Sequence, residues 1–188
     1  MAYKITVQQI MRAYPSTDRQ RCEEFVAVFN EWCERFHINT NARVVHFLAQ
    51  CWHESGALKY VEEIASGEKY EGRKDLGNTQ PGDGKRFKGR GFIQITGRIN
   101  YQAYKNSGFC VGDLMKHPEW LCQKPGHTKS AMWFWYRNNL NTLADQDHGD
   151  GMIGEEIVKK ITKRVNGGYN GLSQRLYFYR RFKKEFCI

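Results

Sequence analysis

The chain has 188 residues and a mass of 22.0 kDa, the size of one domain able to bury a continuous core without cross-links. Its 40% hydrophobic, 26% charged and 14% aromatic residues exclude collagen-like, low-complexity and disordered chains, and no run approaches the roughly eighteen apolar residues of a membrane helix. A net charge of +9 suits a polyanionic partner such as nucleic acid, an anionic membrane surface or a cell-wall polymer, and equally suits a solvated helix face.

In chain order, a short helix is expected from about Val7 to Tyr14 behind Thr6, ending at Pro15. The clearest helix covers 18 to 37, where Cys22, Phe25, Val26, Phe29, Trp32, Cys33 and Phe36 recur at three- and four-residue spacings behind Pro15-Ser16-Thr17-Asp18. Another runs from about Ala42 to His53, capped by Thr40 or Asn41. From Gly67 to Gly97 the chain carries eight glycines and no sustained period, which predicts a long functional loop with a short extended segment at Phe92-Ile93-Gln94-Ile95-Thr96. Helical patterns return at about His127 to Asn138, Met152 to Val165 (closed by Asn166-Gly167-Gly168) and Ser173 to Phe186. The fold is therefore read as mainly α, one domain over residues 1–188, with at most a small β element. The six cysteines form no CxxC pair, so reduced thiols are expected, with Cys22 and Cys33 in the core.

Two carboxylates stand out. On the helix from Ala42, the stripe Val44, Val45, Phe47, Leu48, Cys51 and Trp52 brings Glu54 to its edge and turns His53 the opposite way. A carboxyl beside aromatic and sulfur side chains loses solvation of its charged form and can serve as a general acid; a helix-end glutamate can equally reach water. Glu63, nine residues on, would lie about 13.5 Å away on the opposite face of a continuous helix, so a working pair requires the chain to break at Ser55-Gly56 and fold back. Inverting glycosidases use two carboxyl groups about 6.5–9.5 Å apart. Tyr60, Tyr70, Phe92 and Tyr101 offer flat faces for sugar rings.

The ordered motifs Phe47-Leu48-Ala49-Gln50 to His53-Glu54-Ser55-Gly56, Tyr70-Glu71-Gly72-Arg73, Leu76-Gly77-Asn78-Thr79, Gly82-Asp83-Gly84, Phe87 through Tyr101, and Val165-Asn166-Gly167-Gly168 with Arg175-Leu176-Tyr177-Phe178-Tyr179 resemble glycoside hydrolase family 19, which includes chitinases and phage endolysins. The resemblance spans about residues 40–180, with the helices of 6–37 joined to the same domain. It implies a lysozyme-like fold, Glu54 as general acid, Glu63 as general base at the endolysin-like spacing, and Thr96 as the hydroxyl holding the attacking water. It also implies that Gln94, Asn100, Tyr101, Asn166, Arg175 and Tyr70 line the sugar cleft or support the carboxylates; Tyr101 and Arg175 could instead be structural, and Asn166 a helix stop. Asn170 stands where the plant enzymes often carry an acid.

No metal or cofactor is expected: the six histidines show no ligand spacing, and the acids of 145–156 lack the glycine that a calcium loop needs at its sixth position. Residues 159–188 carry nine basic side chains against Glu185 alone, suggesting attachment to an anionic cell-wall or outer-membrane surface rather than nucleic acid. The expected activity is that of a monomeric endolysin cleaving β-1,4 bonds of peptidoglycan by inversion. A chitinase and an inactive sugar-binding module are the alternatives. The start of the chain reads as lacking a signal peptide, which fits synthesis in a host cytoplasm and release by a holin.

Overall fold

A computed structural model describes residues 2–110 and 112–188. It is 57% helix, and no sheet forms among the described residues. The helices are α1 (Val7–Ala13), α2 (Arg19–Trp32), α3 (Asn41–Glu54), α4 (Asp83–Arg86), α5 (Arg98–Lys105), α6 (Gly126–Arg137), α7 (Leu140–Ala144), α8 (Gly151–Asn166) and α9 (Leu172–Phe186). Side-chain caps fix several starts: Thr6 and Gln9 form a reciprocal box on α1, while Asp18, Thr40 and Asp150 accept the free N–H groups of α2, α3 and α8.

Helix α3 is the axis of the domain. Its residues from Val44 to Trp52 are all buried, and α9 packs along it, with α1 and α8 against α9. The aromatic spacing of α2 supplies the next layer. Phe25 meets Phe47, Trp52 and Phe92 at 6.4, 5.3 and 6.0 Å between ring centroids, distances at which aromatic pairs add to plain area burial. Cys22, Cys33 and Cys51 are buried in this core. So are Trp133 and Trp135 of α6, whereas Tyr136 is exposed.

Two expectations are corrected here. Helix α2 stops at Trp32 rather than continuing to 37, because His37 takes a left-handed conformation (φ 54) and the Ile38 N–H closes back on the Cys33 carbonyl at 2.8 Å. The expected extended segment at 92–96 is instead a turn over 92–94, and among the described residues extended pairing is confined to isolated bridges of Arg90 with Glu62 and Ile95. The glycine-rich region is nonetheless ordered. Asp83 accepts from Arg98 and from the Gln80 N–H, and Asn78 accepts from the Arg98 N–H while donating to the Tyr70 carbonyl. These contacts fasten the loop to the start of α5.

Candidate active site

Glu54 is the last residue of α3, so the buried apolar face of that helix fixes where its backbone sits. The chain then turns sharply. Ser55 Oγ donates to the Cys51 carbonyl at 2.6 Å and accepts from Leu58 N–H at 2.8 Å, and Gly56, Ala57 and Leu58 all have φ between 58° and 69°. Positive φ at the two non-glycine residues is backbone strain of the kind that persists only where surrounding contacts enforce it. The required break after α3 is thus present.

The setting of Glu54 differs from the apolar one expected. Trp52 points away, packing on Phe25 and Phe182 and donating to Thr17 Oγ1 at 3.1 Å. Glu54 instead accepts from the guanidinium of Arg175, in the first turn of α9. Arg175 is 1% exposed and is fully engaged, donating also to Gln50 Oε1 and, at 3.3 Å, to the Asn170 carbonyl. His53 does not turn away from the site. Its Nδ1 lies 2.7 Å from Gln174 Oε1, so His53 and Glu54 meet neighbouring residues of α9. Burial, followed by the nearby Arg175 charge, lowers the His53 pKa. Gly171 makes this approach feasible: a Cβ there would lie 1.9 Å from His53 Cε1.

Asn166 builds the same corner. Its Oδ1 accepts from Gly168 N–H at 2.8 Å and its Nδ2 donates to the Asn170 carbonyl at 3.1 Å. That carbonyl, not an acidic side chain, is what residue 170 offers Arg175.

Glu63 is held from four sides. Its N–H donates to the Gly89 carbonyl at 2.9 Å, and its carboxylate accepts from Tyr70 OH at 3.1 Å and Gly89 N–H at 3.4 Å, with Lys69 Nζ at 2.7 Å. Burial alone would raise the Glu63 pKa, but Lys69, Tyr70 and the Gly89 N–H outweigh it and hold the group below the usual carboxylate range. Glu62 turns to other partners, Arg90 Nε at 2.9 Å and Lys88 Nζ at 3.4 Å, as neighbours on an extended segment should.

Gln94 and Thr96 lie against Gly89, the residue whose N–H and carbonyl hold Glu63. A Cβ on Gly89 would lie 2.6 Å from Gln94 Oε1 and 3.2 Å from Thr96 Oγ1, so only glycine lets the backbone touch Glu63 and both side chains. Gln94 has φ 55 and donates to the Gly91 carbonyl at 2.9 Å; Thr96 donates to the Gln94 carbonyl at 2.9 Å. Asn100, half-buried, donates to the Thr96 carbonyl at 2.9 Å. Tyr101 and Phe92 are fully buried and offer no face to a sugar; Tyr101 donates to the Lys88 carbonyl at 2.8 Å and accepts from Arg90, bracing the segment from behind. Tyr60 is 41% exposed and Tyr70 half-buried. No sequence motif marks Lys69 or Gln174; for Gln50, a polar side chain inside the buried face of α3 is the available signal.

The acids that resemble a calcium loop are otherwise employed. Asp145 pairs with Arg43, Asp150 caps α8, and Asp147 is buried against His46 at 3.0 Å and Tyr179 at 2.6 Å. The basic end is likewise not one open surface. Arg180 pairs with Glu155, Lys159 with Glu156, and Arg181 and Lys183 donate to the carbonyls of Ala13 and Gly149. Lys160, Lys163, Arg164 and Lys184 have no ion partner among the described residues.

A mainly helical domain with two carboxyl groups in unlike settings, one on a buried arginine and one gripped by a lysine, a tyrosine and a backbone N–H, has the scaffold and functional groups of a glycoside hydrolase. Chitinase C of Streptomyces griseus HUT6037 superposes with a TM-score of 0.72 at 18% identity, covering 99% of this chain and 94% of that one. No family model matches the chain. A glycosyl hydrolase family 19 domain-containing protein of Haemophilus influenzae is 30% identical over 165 residues, 71% of this chain and 75% of that protein, and an Arabidopsis thaliana endochitinase is 37% identical over 66% of this chain and 39% of its own length. Another Arabidopsis relative, 31% identical over 88% of this chain and 56% of its own, is named an inactive endochitinase. The chain belongs to glycoside hydrolase family 19. It spans about half the length of the plant relatives and three quarters of the bacterial one.

Proposed function

We propose that the protein hydrolyses β-1,4 glycosidic bonds of peptidoglycan with inversion, Glu54 donating a proton to the leaving oxygen and Glu63 activating the attacking water. The observation that carries this reading is the setting of Glu63. Lys69, Tyr70 and Gly89 favour the ionised form of Glu63, the state in which a general base must wait, while Arg175 fixes the orientation of Glu54. Thr96 and Gln94, converging beside Gly89, are assigned to the water and the sugar; Asn100, Asn166 and Arg175 keep the two groups in place. No step requires a metal or cofactor.

Peptidoglycan is preferred to chitin because the net charge of +9 favours an anionic cell wall, whereas chitin is uncharged and gains nothing from it. Chitin remains the second reading, since the relatives are named endochitinases. Incubation with purified peptidoglycan and, separately, colloidal chitin decides between them. New reducing ends from peptidoglycan support the proposal, release from chitin alone replaces it with the second reading, and polymer retention without release identifies a binding module.

A further inference from the structure

A cavity of about 350 Å³ opens between α5, the turn at Pro118–Cys122 and the start of α6, and none of the groups assigned to sugar cleavage lines it. Its lining is mostly apolar and includes Tyr104, Phe109, Leu114, Trp120, Leu121 and Pro125. Trp120, 38% exposed, stands at its edge, while Tyr104, Leu114 and Leu121 are buried.

Two lysines interrupt this surface, Lys124 exposed at the solvent side and Lys129 buried. Lys129 of α6 is 3% exposed and also lines the cavity. Its ammonium lies 3.2 Å from the centroid of the Trp32 ring, and the guanidinium of Arg35 lies 5.1 Å from the centroid of the same ring. Two cations thus share one aromatic ring. Among the described residues the ammonium has no carboxylate within ion-pair distance and no hydrogen-bond acceptor, in a domain where other half-buried cations such as Arg98 and Lys105 are paired. Burial lowers the Lys129 pKa and Arg35 adds to the effect, against the opposing influence of Glu31 and Cys110. An ammonium that leaves water without an anion beside it is unfavourable, and the Lys129 side chain lines a space of the size that small ligands occupy.

We propose that this cavity is a binding site for a small organic carboxylate with an apolar ring or short-chain body, the carboxylate meeting Lys129 and the body filling the space between Trp120 and Leu114. Such a ligand supplies the anion that the fold omits and removes apolar wall from water in the same step. The site is separate from the sugar site and does not depend on which polymer the enzyme cleaves.

The test uses 2-naphthoate and its uncharged counterpart 2-naphthalenemethanol, titrated calorimetrically into the whole chain. Naphthoate is expected to bind with a stoichiometry near one and at least about tenfold more tightly than the alcohol, the factor expected for one charge-assisted contact. Lys129→Met should abolish that preference while leaving helicity and the thermal transition in place. Leu114→Trp, which fills the cavity and keeps the lysine, should abolish binding of both compounds, and together with the wild-type comparison it keeps the test decisive if Lys129→Met fails to fold. Absence of saturable binding to the wild type up to millimolar concentration, equal affinity for the two compounds, or undiminished naphthoate binding by Leu114→Trp would each overturn the assignment.

Discussion

Glu54→Gln tests the carboxylate and its buried partner together. The amide keeps an acceptor oxygen for Arg175 but removes the negative charge facing a guanidinium that is 1% exposed. Losing one partner of a buried ion pair costs about 3–5 kcal/mol. Here Gln50 and the Asn170 carbonyl still accept from Arg175 and the Glu54 side chain is 20% exposed, which places the loss nearer 2–3 kcal/mol, or about 5–10 °C in Tm for a domain of this size. Adding Arg175→Met removes the stranded cation while keeping an unbranched side chain in its place. The double variant should therefore recover at least half of the lost stability, a non-additive result that a double-mutant cycle reads directly. Wall hydrolysis should behave differently: it falls by roughly 10²–10⁴ in Glu54→Gln, the worth of a general acid, and is not recovered in the double variant. Calorimetric unfolding and turbidity clearing of purified walls supply both measurements. A Glu54→Gln protein as stable as the wild type would show that Arg175 does not depend on the Glu54 charge, and one retaining half its activity would remove Glu54 from catalysis.

The assignment of the second carboxylate separates two neighbours. Glu63→Gln should be nearly inactive and Glu62→Gln should keep more than half of wild-type turnover, because Glu62 serves Arg90 and Lys88; the opposite ranking in a reducing-end assay would shift the register by one residue. Lys69→Met and Tyr70→Phe remove contacts that lower the Glu63 pKa while leaving the burial that raises it. The acid limb of kcat/KM, which reports the base of the free enzyme, should then move to higher pH, and an unmoved limb would dissociate these residues from the base. Replacing Lys160, Lys163, Arg164 and Lys184 by Gln should weaken sedimentation with whole walls at low salt, where the Debye length is about 30 Å at 0.01 M, and matter little at 1 M, where it is about 3 Å. Arg180 and Lys183 are left out because their cationic groups are already engaged within the fold. Equal wall binding at low salt would reduce these side chains to a solvated face.

The mainly helical architecture is legible because periodicity reports burial: the apolar positions of α3 and α2 are those the structure buries. Capping residues likewise announce their helices, as Thr6, Asp18 and Thr40 do. Helix ends are less legible, since the stop at Trp32 depends on a left-handed histidine that carries no compositional mark. The short helices α5 and α7 escape because no capping side chain marks their starts, as Thr6 marks α1.

At the candidate site, local sequence places Glu54 at a helix end but not opposite Arg175, which lies 121 residues away. Helical projection likewise sends His53 away, because it knows only α3 and not the packing of α9 beside it. Phe92 and Tyr101 illustrate the converse error. An aromatic near a glycine-rich loop reads equally well as a sugar platform or as core, and here tertiary packing makes both core. The exchange of functions among Asp145, Asp147 and Asp150, each committed to a different element, is also a long-range property.

Glu54 and Glu63 are assigned to opposite faces of one bond, and the stereochemistry of the first product reads that assignment. Proton NMR recorded within minutes of mixing the protein with purified, solubilised glycan strands, before mutarotation equilibrates the new reducing ends, reads their anomeric form. Single displacement by a water on Glu63 predicts the α-anomer from the β-linked chain. Early appearance of the β-anomer would require two displacements through a covalent glycosyl-enzyme intermediate and would contradict the assignment.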